Sequence, residues 1–357
     1  MSEISKQYGP RTRTYLGSVS LSAPRKRAAS RLLTRRNLLL AIGGLLLAAV
    51  LIFGWQLWRR LDGVFVGGVT GLFRNDPLDQ DTHGRTNILA IGTDEGGLTD
   101  SIMVISLNQS TGQGVSLSLP RDLWVERTCW GRRSSGKLNE TYTCAARSGT
   151  PEDGARALMD TAGHILDIEI HYFIKVDDEV LIGAVDAVGG ITIELDRAVY
   201  DVATNINFSA GTHHINGYTA LAFARSRGAY GGFGVANDFS RGLNQQLVLR
   251  SLQSAVLEDR RFLNPATSLN LLESFGDHVT TSFQTSQIRT LIEVGQRTEI
   301  RPLPLAPTDD GVMLVRDETI EGLSALVPAG VTGRFDYSLF HEYFAAQTIT
   351  PPDQPED

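Results

Sequence analysis

The sequence predicts a layered α/β domain behind a single N-terminal transmembrane helix, and three observations point there. Short apolar, β-branched runs at residues 87–91, 102–107 and 115–119 read as consecutive strands. Residues 170–195 then give a strand, a helix, Gly189-Gly190 and another strand, a βαβ-like order that belongs to α/β layering. Residues 38–58 carry no charge over 21 positions, long enough to cross a bilayer core.

The first 37 residues hold nine Lys and Arg against the single acid Glu3. They are rich in Ser, Arg and Thr without apolar periodicity, the composition of a disordered tail. In the span, Gly43, Gly44 and Gly54 are tolerable in a membrane helix, and Trp55 and Trp58 sit where an interfacial belt would be. The basic flank precedes the span, so the N-terminus is expected in the cytoplasm and the bulk of the chain outside the cell membrane. A cleaved signal peptide fits less well, because the span is long for one and no small-x-small site follows Trp58. The whole chain carries −7 despite its basic start, so the external part is strongly acidic. Such a part has no basic stripe to track a nucleic-acid backbone. Residues 59–85 contain Gly, Asp and Pro and read as a linker.

Residues 86–122 organise the rest of the chain. The first strand stops at Gly92, Asp94 lies in a Gly-rich loop that Asp100 closes, and the third strand ends at Pro120-Arg121-Asp122. Two carboxylates six residues apart and an arginine, all at strand ends, can converge on one rim of a sheet. Hard oxygen ligands suit a divalent cation and a guanidinium grips phosphate. Turn preference alone would place Asp and Gly there equally well. Residues 124–144 read as a loop with Lys137 and Asn139 inside it. Cys129 and Cys144 flank most of that loop, and an oxidising exterior favours a disulfide between them over two free thiols.

Beyond this, residues 151–166 have helical spacing at Ala155, Leu158, Met159, Ala162 and Ile165, with Pro151 at the first turn. Residues 170–176 alternate as a strand, 177–188 read as a helix and 191–195 as a strand. His213 and His214 fall in a turn-like segment and are read as structural. A helix covers 216–223 and runs on towards Arg225 and Arg227, two apart and on one side if the chain is extended. The Gly-rich stretch 228–236 reads as a flap. Residues 241–257 form a long helix with Asp238 as its N-cap, and Arg241 and Gln245 share a face near that end, where phosphate binds readily. Residues 265–275 and 285–294 read as further helices, 311–315 as a late strand, and the Pro- and Asp-rich end from Thr348 as loose. No nucleophile elbow, zinc-protease helix, P-loop or dinucleotide fingerprint is present.

Several strings in one order resemble the LytR-CpsA-Psr family: NILAIGTD, LTDSIMVISLN, VSLSLPRDLWV, GKLNETY, VDAVGGITIEL, AGTHHINGYTALAFARSR and DFSRGLNQQ. The resemblance runs from about Thr86 to Leu257 and continues more weakly to about Val327. It implies an α-β-α sandwich in an extracytoplasmic catalytic domain, 86–327, followed by an extension over 328–357 whose end is disordered. It further implies a hydrophobic tunnel for a polyprenyl chain and a phosphate site at the tunnel mouth. The implied activity is that of a phosphotransferase dependent on Mg²⁺, or on Mn²⁺ in its place. It would move a glycopolymer from a polyprenyl-pyrophosphate carrier to a cell-wall acceptor, usually the muramyl 6-hydroxyl of peptidoglycan, with pyrophosphatase activity on the side. By family position Asp94 and Asp100 would hold the metal, and Arg121, Arg225, Arg227, Arg241 and Gln245 would bind the pyrophosphate. Asp94, Asp100, Arg121 and Arg227 would form the catalytic set. Asp122 is expected to orient Arg121, and Lys137 and Asn139 to be positional.

Two positions depart from the family pattern. Leu98 stands where an arginine usually precedes the second aspartate by two residues, and Asn244 stands where arginine usually precedes the glutamine. Either a neighbour such as Arg132 or Arg133 substitutes, or activity is weakened or altered in specificity. The second possibility keeps open a lipid-phosphate-binding envelope scaffold beside the transferase. A DNA-binding regulator is disfavoured, since only residues 1–37 would face the cytoplasm.

Overall fold

The computed structural model describes residues 74–94, 97–129, 131–227, 237–259, 261, 275–305, 314–331 and 333–349. The expected disordered tail, the span at 38–58, the flap at 228–236, and almost all of the expected helix at 265–275 lie outside them. Among the described residues no helix is long and apolar enough to cross a membrane.

The three strands expected around the two aspartates form as β1 (Arg85–Thr93), β2 (Thr99–Asn108) and β3 (Gln113–Ser118). They make an antiparallel meander, with Ile91 opposite Ile102 and Met103 opposite Ser118. The register shifts between Gly92 and Thr93, a bulge that bends β1 just before Asp94. Gly92 is needed there because a Cβ would stand 2.9 Å from that of Ser101.

Residues 124–144 are not a loop. They form a hairpin of β4 (Trp124–Cys129) and β5 (Arg132–Lys137), and then enter α1 (Leu138–Ser148). The sequence conceals this because β5 reads RRSSGK, with almost no apolar signal, and its pairing with β4 supplies the strand. Cys129 and Cys144 are joined in a disulfide, Cα atoms 5.5 Å apart, which ties the hairpin to α1.

Helix α2 (Pro151–Leu166) has the expected bounds, fixed by a capping box between Thr150 and Asp153 and by Asp167 in a left-handed conformation at its end. Strand β6 (Tyr172–Asp177) pairs parallel to β1. Next comes α3 (Asp178–Ala187), capped by Asp177, whose side chain accepts from the N–H groups of Glu179 and Val180. The βαβ-like reading fails at the following step. Strand β7 (Ile191–Leu195) leaves the main sheet and pairs with β10 (Gly211–Ile215) instead. His213 and His214 therefore lie in a strand, not in a turn. Between these strands a small hairpin forms from β8 (Val199–Asp201) and β9 (Ile206–Phe208).

Helix α4 (Gly217–Arg225) packs on α3, closely enough that a Cβ at Gly217 would collide with the Ile182 backbone. Helix α5 (Asn237–Glu258) starts before Asp238, so that residue sits inside the helix and is not its cap. The chain continues through β11 (Val279–Thr281), a 3-10 turn at Thr285–Gln287, α6 (Ile288–Arg297) and β12 (Glu299–Leu303). The late strand lies at β13 (Val315–Ile320), which starts where the expected one ends and pairs with β14 (Leu323–Pro328). Helix α7 (Ser338–Thr348) comes last.

The main sheet has the order β11-β6-β1-β2-β3-β12. Side-chain alternation sends Leu89, Ile91, Ile102, Val104 and Leu117 to one face, against Leu158, Ala162 and Ile165 of α2. Ile88, Leu107 and Tyr172 point to the other, against Phe283, Ile288 and Val294. A third cluster joins β7 and Ile215 to Phe223 and Val248 of α4 and α5. Helices thus cover both faces.

Two segments that read as peripheral belong to this body. Leu78, in the expected linker, is buried in the second cluster. Tyr337, Phe340 and Phe344, in the expected C-terminal extension, are buried in the first. Phe340→Ala is therefore expected to cost about 3–5 kcal/mol, as for other buried aromatics. Urea unfolding measures this, and an unchanged midpoint would show the segment to be separable. Replacing Cys129 and Cys144 together by Ser should cost about 3 kcal/mol, the loop-closure value for a bridge of this span. A calorimetric midpoint equal to that of the parent under oxidising conditions would contradict it.

Candidate active site

The bulge at Gly92 and the antiparallel register of β2 with β3 bring the end of β1, the start of β2 and the turn after β3 to one rim of the sheet. Asp100 is the second residue of β2, and Arg121 follows β3 by three residues. Their side chains form an ion pair through Arg121 Nη1 and Asp100 Oδ1. Behind it, Asp122 Oδ2 lies 3.8 Å from Arg121 Nε, and Lys137 Nζ lies 2.8 Å from Asp122 Oδ1. Charges of alternating sign thus run Lys137, Asp122, Arg121, Asp100. The expected orienting role of Asp122 has its geometry here. The backbone N–H of Asn139 donates to the Arg121 carbonyl at 3.0 Å, and that of Leu138 to the Leu123 carbonyl at 2.8 Å, so the start of α1 holds this turn.

Helix α5 crosses above. Arg241 and Gln245, one turn apart, line a small cavity with Asp100, Arg121, Ser118 and Gln246. Gln246, fully inside, donates to the carbonyls of Ser116 at 3.3 Å and Leu303 at 3.4 Å, which pins the helix to β3 and β12. Ser101 Oγ donates to Gln245 Oε1 at 3.0 Å and fixes that side chain from below.

Asp100 and Gln245 also border a second, apolar cavity of about 180 Å³. Ala90, Met103, Ile174 and Val176 of the sheet form its floor, and Leu181, Leu221, Val248, Leu249 and Leu252 of the three helices form its walls. Asp177, Asp178 and Arg225 stand with Asp100 and Gln245 at its polar rim.

Arg225, the last residue of α4, pairs through Nη2 with Asp178 Oδ2. Asp178 opens α3 and reads in the sequence only as a helix start. The signal that could have found it is the doubled Asp177-Asp178 at the end of an apolar strand. Burial pushes the Asp178 carboxyl above its usual range; Arg225 opposes this, while Asp94 and Asp177 add to it. Asp177 is itself 2.5 Å from His278 Nδ1.

Asp94 borders neither cavity. Its Oδ1 accepts from the Leu98 N–H at 2.8 Å, closing the tight loop, and its charge reaches Asp178. Arg227 is exposed and borders neither cavity either; its backbone N–H donates to Asp201 Oδ2 at 2.6 Å. Burial would raise the Asp201 carboxyl, yet the N–H groups of Arg227, Ala203 and Thr204 bring it below its ordinary value. The structure therefore brings Asp100, Arg121, Arg225, Arg241 and Gln245 together, and leaves Asp94 and Arg227 at the margin.

The two departures differ in kind. Leu98 is 53% exposed, whereas Asn244 is 0% exposed and donates to the Ser226 carbonyl at 3.1 Å, bracing the chain between Arg225 and Arg227. Arg132 and Arg133 are exposed on β5 and border neither cavity, so they do not stand in for the absent cations.

No group of three or more His, Cys, Asp or Glu side chains among the described residues is gathered to hold a metal. Asp94 and Asp100 nevertheless suit Mg²⁺ by their chemistry. This ion takes one or two carboxylates and completes its shell with water and phosphate oxygens, so no protein cage is required.

Known proteins resemble this chain in sequence and in fold. The transferase TagU of Bacillus licheniformis, a polyisoprenyl-teichoic acid–peptidoglycan teichoic acid transferase, is 29% identical over 209 residues, 57% of this chain and 60% of that relative's length. The structure of protein gbs0355 from Streptococcus agalactiae superimposes with a TM-score of 0.57 at 21% identity, covering 77% of this chain and 91% of that one. That of TagT bound to LI-WTA gives 0.54 at 16% identity, covering 81% and 97%. At these identities the structural likeness is one of fold. The profile of the LytR_cpsA_psr family matches residues 72–303, well over half of the sequence, and the chain belongs to that family.

Proposed function

We propose that this protein is a membrane-anchored phosphotransferase that moves a glycopolymer from a polyprenyl-pyrophosphate carrier to peptidoglycan. One observation carries the reading: a cationic pocket of Arg121 and Arg241 and an apolar cavity share Asp100 and Gln245 as common border. A lipid pyrophosphate is a ligand with these two halves joined at one point. The name of the B. licheniformis relative, a polyisoprenyl-teichoic acid–peptidoglycan transferase, and the ligand of TagT support the same substrate class.

In this reading the prenyl chain lies between the sheet and α3, α4 and α5. Arg121, Arg241 and Arg225 grip the pyrophosphate oxygens, and Gln245 donates from its amide. Asp122 and Lys137 hold Arg121 in place. Phosphoryl transfer needs alignment and charge neutralisation more than a covalent nucleophile, and guanidiniums aimed at the equatorial oxygens supply both. An acceptor hydroxyl attacks the glycan-side phosphorus, and its P–O bond to the bridging oxygen breaks. The lipid leaves as its monophosphate and the hydroxyl proton passes to solvent or a carboxylate. Asp94 and Asp100 would hold Mg²⁺, which would supply further charge neutralisation. Water in place of the hydroxyl gives the pyrophosphatase side reaction. Residues 38–58 supply the anchor, and the domain works outside the membrane.

A second reading, a lipid-phosphate-binding scaffold without turnover, draws on Leu98 and Asn244, two positions where this chain lacks a cation. Turnover separates the two. Full-length protein in detergent, given Mg²⁺, a prenyl-pyrophosphate-linked glycan and peptidoglycan fragments, is expected to release prenyl phosphate and form a glycan–peptidoglycan adduct, both seen by mass spectrometry. Arg121→Ala and Asp100→Ala should each lower the rate about 10²- to 10³-fold, the usual loss for one transition-state donor, and EDTA should do likewise. Binding without either product would leave only the scaffold.

A further inference from the structure

Asp178 is the feature of the rim that the transfer reaction does not explain. Its side chain is 17% exposed and borders the apolar cavity. It is not needed to cap α3, because Asp177 already accepts from the N–H groups of Glu179 and Val180. Asp177 also has His278 beside it, whereas Asp178 pairs with Arg225, 47 residues away in sequence. A carboxylate at the mouth of a site for an anionic headgroup repels that headgroup and occupies a cation the headgroup would use. Such a placement weakens binding. It serves a catalyst only where the anion must leave again.

We propose that Asp178 is a positioning residue that competes with lipid phosphate for Arg225, and that recapture of Arg225 by Asp178 drives release of the lipid monophosphate. This rests on the transferase reading above. With the cavity empty, the Asp178 carboxylate holds the Arg225 guanidinium at the rim. A pyrophosphate presents two phosphate groups, engages Arg121 and Arg241 together with Arg225, and so displaces the carboxylate. After transfer the lipid keeps a single phosphate group, the contest for Arg225 turns back to Asp178, and the product dissociates. No bond is made or broken in this exchange; one ion pair replaces another.

The consequence differs in sign from that of an ordinary structural ion pair. If Asp178 only held Arg225 in place, its loss would weaken binding. If it competes, its loss strengthens binding and slows turnover. The test uses the full-length chain in detergent, with geranylgeranyl phosphate and geranylgeranyl pyrophosphate as probes in calorimetric titrations. Asp178→Asn should bind the monophosphate about tenfold more tightly, the gain expected when a cation occupied about nine-tenths of the time is released. The pyrophosphate should gain less. In transfer assays KM and kcat should both fall, with stronger product inhibition by the monophosphate, while Asp178→Glu should restore the parent behaviour. Matching circular-dichroism melts exclude misfolding as the cause. Equal or weaker monophosphate binding by Asp178→Asn overturns the competition and leaves the transferase reading intact. Failure of parent and variant alike to bind either probe overturns both.

Discussion

The pair between Asp100 and Arg121 is the constraint around which the rim is arranged. A partly exposed ion pair contributes about 0–1 kcal/mol to stability, so its elaborate support has to be explained by placement. Four separate elements hold it. The register of β2 with β3 puts Asp100 next to the end of β3. The start of α1 fixes the turn through the N–H groups of Leu138 and Asn139. Lys137, at the junction of β5 and α1, anchors Asp122 beside Arg121. The disulfide then ties α1 to the same hairpin from its other end. A guanidinium on a flexible stem loses much of its rotamer freedom in such a setting before any ligand arrives, which is the entropy a binding site otherwise loses on association.

The apolar cavity has an equally local origin. On the face of the sheet that carries α2, large side chains from strands and helices pack into one buried cluster. On the opposite face, near the rim, β1 presents Ala90 and Gly92, while the helices that face it present mainly Leu and Val side chains from α3, α4 and α5. A floor kept low at Ala90 and Gly92 and walls from three helices leave an unfilled apolar space, open where Asp100, Asp178, Arg225 and Gln245 stand. Such a space favours an apolar ligand for the same reason that a core favours apolar side chains.

What can be read from residues alone divides along physical lines. Strands with β-branched periodicity and the helix at Pro151–Leu166 announce themselves, because local pattern and tertiary burial agree there. Strand β5 does not, since RRSSGK is a strand only by virtue of pairing with β4. The departure of β7 from the main sheet is a tertiary choice that a strand–helix–strand order does not encode. Phe340 and Phe344 look peripheral in the sequence because position near a terminus says nothing about burial. At the site, Arg121, Arg241 and Gln245 are visible by motif, but Asp178 and Ser101 are not. Their roles exist only through partners 47 and 144 residues away.

The charge balance of the rim bears on the two family departures. Arg121 and Arg225 each face a carboxylate, Asp100 and Asp178, so any anionic ligand arriving there must exchange one anion for another. Extra arginines at positions 98 and 244 would tilt that exchange further towards the ligand. At 98 the side chain is exposed, so the absence of a cation removes long-range attraction without leaving a buried defect. At 244 the position is fully buried and Asn serves the backbone between Arg225 and Arg227. An arginine there would have to leave the interior to be solvated or paired, since burying an unpaired guanidinium costs far more than a hydrogen bond returns. Asn244 thus puts a braced backbone beside Arg225 at a position where a cation stands in the family pattern. The cation which that backbone carries is the one Asp178 holds, which in the proposed exchange places the balance between capture and release of an anionic headgroup on that single pair.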